Sequence, residues 1–121
     1  MRPDPSRILF LDIETIPQAY GWNELDTDTA KLFSDKTRYE QERNGKTAEE
    51  LWSMRGGILA EFGKIVCIGV GSLHRDGGEQ KLRVTSFHGT NEYDVLTRFT
   101  GLLNRHYDTD DHWLCAHNGK E

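Results

Sequence analysis

Ile8-Leu9-Phe10-Leu11 is an unbroken apolar run that ends in two carboxylates, Asp12 and Glu14, separated only by Ile13 and followed by Thr15. A short apolar run of this kind reads as a buried strand. Side chains at i and i+2 of a strand share a face, so Asp12 and Glu14 project together while Ile13 turns away. Their Cα atoms are then roughly 6.6 Å apart. Two carboxylates held that close repel each other unless a cation lies between them. Hard oxygen donors suit Mg²⁺ or Mn²⁺, ions that proteins commonly hold with a few carboxylates and a phosphate-bearing substrate. The pair also has a plainer reading, because acidic residues often follow a buried strand where the chain returns to solvent.

The rest of the chain constrains which reading applies. Its 121 residues make one domain with a modest core. Hydrophobic residues contribute 36% and charged residues 29%, the balance of a soluble globular protein. No apolar run is long enough to span a membrane, and the start Met-Arg-Pro-Asp-Pro-Ser lacks the apolar stretch of a signal peptide. Cys67 and Cys115 both lie in apolar, strand-like runs, which predicts buried free thiols and a cytoplasmic setting. Their spacing offers no zinc site. Twenty acidic against fifteen basic residues leave a net charge of −5, which argues against a general electrostatic nucleic-acid binder. An enzyme that grips only a strand end stays open, since bound divalent ions offset local acidity.

After the first strand, Pro17 breaks regularity and a polar stretch, residues 18–57, follows. It holds two candidate helices, one over about Glu24–Phe33 and one starting at Thr47. Thr47 and Glu50 form a capping-box pattern, and Gly56-Gly57 ends the second helix. The stretch reads as an insertion packing on the sheet, too short and polar for a core of its own. Lys64–Gly71 is a second strand continuing towards His74, apolar or small on both faces and so expected to be covered on both sides. Asp76-Gly77-Gly78 is a hairpin signal leading to a third strand over about Lys81–His88. The three strands are expected to form an antiparallel meander. Thr90 or Asn91 then caps a helix to about His106, with Val95, Leu96, Phe99, Leu102 and Leu103 on its buried face. Arg105 and His106 in its last turn suit the helix dipole. A fourth strand, about His112–His117, follows a polar loop, and the crossover helix predicts that it pairs parallel to the first.

Three segments carry a family resemblance: Phe10-Leu-Asp-Ile-Glu-Thr-Ile-Pro17, Ala60-Glu-Phe-Gly-Lys-Ile-Val-Cys-Ile68 and Cys115-Ala-His-Asn-Gly-Lys-Glu121. Their order resembles the DnaQ-like, or DEDD, 3′–5′ exonucleases of the ribonuclease H-like α/β fold. Within these it is similar to predicted exonucleases related to the proofreading domain of family B DNA polymerases. The resemblance implies that Asp12 and Glu14 are catalytic metal ligands for two divalent ions, Mg²⁺ or Mn²⁺. It places Thr15 and Ile16 where backbone contacts reach the terminal nucleotide, and makes Asn118 the opening residue of the second motif. Asn118 reads equally well as a turn or helix cap. The implied substrate is the 3′ end of single-stranded nucleic acid, with DNA favoured over RNA.

In such a site the two ions, about 3.5–4 Å apart, activate a water and stabilise the departing 3′ oxygen. The family's second motif continues into an aromatic–Asp pair, and a third motif carries a Tyr or His and a final Asp. Neither continuation is present in this sequence. The resemblance therefore implies the N-terminal portion of an exonuclease domain, with negligible activity alone. It also implies an exposed sheet edge at the fourth strand, through which the chain would self-associate.

Other residues have plainer roles. His117 reads as structural or surface, with a minor substrate role open. Trp22, Trp52 and Trp113 could stack on bases, although core packing is the stronger expectation for Trp52 and Trp113. Lys31, Lys36 and Arg38 are interleaved with acids and read as a solvated face. Two other functions fit parts of the pattern. One is a non-catalytic nucleic-acid-binding or interaction module of the same fold. The other is a haloacid-dehalogenase-like phosphatase with Asp12 as nucleophile, although Glu14 departs from its Asp-x-Asp motif and a meander does not suit its parallel sheet.

Overall fold

The structure is a computed structural model that describes residue 2 and residues 4–117. In chain order its elements are β1 (Ile8–Pro17), α1 (Thr27–Lys36), α2 (Arg38–Asn44), α3 (Ala48–Arg55), β2 (Gly63–Asp76), β3 (Glu79–His88), α4 (Glu92–His106) and β4 (Trp113–Ala116). The chain divides into two compact units. One comprises Met1–Glu14 with Ile65–Glu121, and the other is Thr15–Lys64. Among the described residues, no helix is long and apolar enough to cross a membrane.

The class is α/β. Among the described residues the sheet has four strands in the order β3-β2-β1-β4. β2 and β3 are antiparallel, with Asp76 opposite Glu79 across a two-residue loop. Gly77 and Gly78 both have positive φ (59° and 88°), the backbone that a tight hairpin turn demands and that side chains resist. β4 runs parallel to β1, Ile8 opposite Trp113 and Leu11 opposite Ala116, as the intervening helix predicts.

Leu9, Ile68, Val70 and Val95 are the buried centre of the first unit, ringed by Leu11, Phe87, Phe99, Leu102 and Leu103. α4 therefore covers the sheet face that carries Leu9. Its N-cap is Asn91, whose side chain accepts from the Asp94 N–H at 3.2 Å. The Glu92 carboxylate accepts from the Ile65 N–H, tying the first turn of α4 to β2. Leu96, expected on the buried face, is instead exposed, because the contact stripe runs through Val95, Phe99, Leu102 and Leu103.

Two expectations for the strands are corrected. β2 is internal in the sheet, yet only Ile68 and Val70 on it are buried, both on the α4 side. The alternate face, with Cys67, Gly69 and Gly71, is not covered by described residues to the same degree. β4 is exposed along its whole length, so Trp113 (56% exposed) is not a core residue and Cys115 is not buried. Both cysteines are free.

The 15–64 unit has a core of its own, contrary to the expectation for this polar segment. Phe33, Leu51, Trp52 and Phe62 are buried together, flanked by Ala19, Trp22, Leu25, Ala48 and Leu59. The rings meet edge to face, Phe33 with Trp52 at 5.0 Å and Phe33 with Phe62 at 5.2 Å between centroids. The Trp52 indole N–H donates to the Ala19 carbonyl at 3.2 Å, satisfying its one polar atom. Thr47 caps α3 as expected, accepting from the Glu50 N–H at 3.2 Å. α1 begins three residues later than expected because Asp26 caps it through the Thr29 N–H, and α2 was not anticipated.

Candidate functional site

Strand alternation fixes which way the acidic pair points. Leu9 enters the core under α4, so Phe10, Asp12 and Glu14 share the opposite face of β1. That face is open: Phe10 is 37% exposed, and Asp12 and Glu14 are both exposed. The Asp12 Oδ1 atom accepts from the Ile13 N–H at 3.1 Å, which steadies the carboxylate beside its own strand. Among the described residues, neither Asp12 nor Glu14 takes part in an ion pair.

Beside Asp12 lies a shallow, wide depression of about 310 Å³, lined by Phe10, Asp12, Gly69, Gly71 and Val84 with the backbone around them. Its floor is made by the missing side chains of β2. A Cβ on Gly69 would lie 3.9 Å from the Asp12 carbonyl oxygen, and one on Gly71 would touch Leu82 and Val84 at 3.6 and 4.0 Å. Either glycine could therefore carry a side chain without a clash, but the side chain would fill the depression. The sequence reading missed Phe10, Gly69, Gly71 and Val84 as part of this site. The available signal was the Gly-x-Gly alternation in β2, which puts two side-chain-free positions on one face.

The other expected site residues fall differently. Thr15 and Ile16 belong to the 15–64 unit. The Thr15 hydroxyl donates to the Gly57 carbonyl, so it is committed to that unit's own structure. Gly57 permits this close approach, since a Cβ there would lie 3.0 Å from Pro17 Cδ. Ile16 is exposed and lines a hollow of about 650 Å³ with Pro17, Gln18, Tyr20, Ser53 and Lys64. His117 is exposed. Asn118 lies outside the described residues. Trp22 and Trp52 belong to the aromatic core, while Lys36 and Arg38 pair with Glu61 and Asp35 as a solvated face would.

Hydrogen bonding holds four carboxylates below their usual range: Asp4 through the Ser6 N–H, Asp26 through the Thr29 N–H, Glu61 through Lys36, and Asp111 through the Thr109 hydroxyl. These are local caps and pairs, and none lines the depression beside Asp12.

The donor set of Asp12 and Glu14 suits a hard divalent cation in type: two exposed carboxylates on one face, without a competing cation. It is small in number, because no third His, Cys, Asp or Glu joins them to form a metal-holding group among the described residues. No protein-family model, curated protein or solved structure matches the chain.

Proposed function

We propose that Asp12 and Glu14 are the first two carboxylate ligands of a metal-dependent 3′–5′ exonuclease domain of the DnaQ-like, ribonuclease H-like kind, acting on single-stranded 3′ ends, DNA rather than RNA. The observation that carries this reading is the pairing of two exposed, unpaired carboxylates with an apolar, glycine-floored depression on the same sheet face. The strand order and the parallel β4 agree with that fold type. Asp12 and Glu14 would hold Mg²⁺ or Mn²⁺, which supplies Lewis-acid stabilisation of charge on a phosphodiester. Phe10 and the flat surface over Gly69 and Gly71 offer the terminal nucleoside an apolar platform for stacking. Asp12 orients the phosphate side of the site, its own Oδ1 held by the Ile13 N–H.

Fluorescence anisotropy with a labelled single-stranded oligonucleotide tests the reading. Binding is expected to require a divalent ion and a free 3′ end, and to be lost in Asp12→Asn. Hydrolysis by this chain is expected to be negligible, because the family's other two carboxylates are absent from its sequence. Binding that survives both chelation and Asp12→Asn would rule the exonuclease reading out.

The proposal extends to self-association. β4 is an edge strand among the described residues, and Trp113 and Leu114 on it are both more than half exposed. Sedimentation at tens of micromolar, roughly the range where weak interfaces populate, should reveal a dimer that Cys115→Pro weakens. A strictly monomeric wild-type chain at that concentration would refute the edge pairing.

A further inference from the structure

A second cavity lies on the α4 side of the first unit, away from the acidic pair. It has a volume of about 280 Å³ and an apolar floor of Leu9, Val70 and Leu102. Its walls are polar for a reason visible in the strand register. Val70 opposes Thr85 and Ser72 opposes Arg83, so these four side chains share the face that enters the core at Val70. The alternation of β3 is thus inverted at this point. Leu82 and Val84 face the open side, whereas Arg83 and Thr85, themselves exposed at the cavity's rim, lie on the α4 side of the sheet. Folding alone favours the reverse, with apolar residues turned towards the helix.

The Arg83 side chain has no ion pair or hydrogen bond among the described residues, and the same holds for the side chain of His106 on the last turn of α4. The hydroxyls of Ser72, Thr85 and Tyr107 are also without partners among the described residues. His112 forms a fixed wall, both of its ring nitrogens being engaged. Its Nε2 faces Arg7 Nη1 at 3.3 Å and its Nδ1 lies 2.8 Å from the Thr109 hydroxyl. Both ring nitrogens are thus engaged by neighbours outside the cavity. The His112 ring also packs edge-on against Tyr107 at 5.2 Å. No acidic side chain is among the residues lining the cavity, in a chain whose net charge is −5.

The geometry points to a binding site for a small phosphate monoester. Its dianionic head accepts from Arg83, His106 and the surrounding hydroxyls, and its organic body lies on Leu9, Val70 and Leu102. One guanidinium, one imidazole and three hydroxyls offer more donors than a carboxylate can use, and they match the several acceptor positions of a phosphate. The volume sits at the lower end of ligand pockets, which favours a single-ring ester over a dinucleotide. The site is independent of the exonuclease reading, since it lies on the opposite face of the sheet from the depression beside Asp12 and only Val70 of β2 borders both.

Titration of ¹⁵N-labelled protein with phenyl phosphate, and separately with inorganic phosphate, tests the assignment. Phenyl phosphate should bind saturably and shift the amide signals of Ser72, Thr85 and His106, more tightly than inorganic phosphate. Arg83→Gln should weaken it by about tenfold or more, the effect of removing a charged hydrogen-bond donor. Lys81→Gln, on the same strand but paired with Asp76 outside the cavity, should change it less than about twofold. No saturation up to roughly 10 mM, the weak limit of a specific small-ligand site, would overturn the proposal. So would equal losses in the two variants, or equal affinity for the two phosphates.

Discussion

Trp52→Ala is expected to remove about 3–5 kcal/mol of stability from the 15–64 unit, the range for deleting a buried large aromatic side chain. Trp52 is one of the largest fully buried side chains of the chain, and three rings depend on it. Phe33 meets it at 5.0 Å, Phe62 at 6.2 Å and Trp22 at 6.3 Å, all edge to face. Truncation loses the transfer free energy of the indole, opens a cavity that rigid rings cannot refill, and strands the Ala19 carbonyl that accepts its N–H. A unit this small has only a few kcal/mol in reserve, so the change should unfold it instead of merely loosening it. Urea titration followed by near-UV circular dichroism and by amide signals of residues 15–64 would measure the loss. Trp52→Phe should retain part of the stability because it keeps an edge-to-face partner for Phe33. Trp52→Ala unfolding with an unchanged midpoint would mean that the aromatic cluster does not hold this segment together.

That cluster also explains why this segment was hard to read from its sequence. Its members, Trp22, Phe33, Trp52 and Phe62, are separated by ten or more residues, so they create no local period. α2, Arg-Tyr-Glu-Gln-Glu-Arg-Asn, has no apolar stripe at all, and it ends at Gly45 in a left-handed conformation. By contrast, β1, the Gly77-Gly78 hairpin, the Thr47 cap and α4 all rest on signals within a few residues, and all four were legible. Parallel pairing of β4 was legible too, because it follows from connection length more than from side chains. What a single strand's composition cannot reveal is which of its faces finds a cover. Lys64–Gly71 looks equally apolar on both sides, yet only the Ile68 and Val70 side is buried. The same ambiguity hid the surroundings of the acidic pair. Asp12 and Glu14 were visible as a shared face, but the floor beside them depends on glycines from a neighbouring strand. Trp113 was misjudged for a related reason: an edge strand has one neighbour, so an apolar residue there has fewer places to hide.

Asp12→Asn is expected to lower the affinity of the first unit for Mn²⁺ by at least about tenfold, since even outer-shell changes around a metal cost that much. Binding at a defined site has to be distinguished from general acidity. A chain of net charge −5 attracts cations everywhere, and the loop carrying Asp108, Asp110 and Asp111 is an obvious competitor. Asp111 in that loop is already engaged by Arg7 at 3.2 Å and by the Thr109 hydroxyl, whereas Asp12 and Glu14 have no cationic partner among the described residues. Paramagnetic broadening by Mn²⁺ should therefore centre on the amides of Asp12, Ile13 and Glu14 at low occupancy, before the loop is touched. With two protein carboxylates the affinity should still be weak, in keeping with ions that keep most of their waters. Glu14→Gln should have an effect of similar size. Combining it with Asp12→Asn should add little, because both residues serve one bound ion and neither holds it alone. Broadening centred on residues 108–111, or unchanged in Asp12→Asn, would reduce the pair to two acids at the end of a strand.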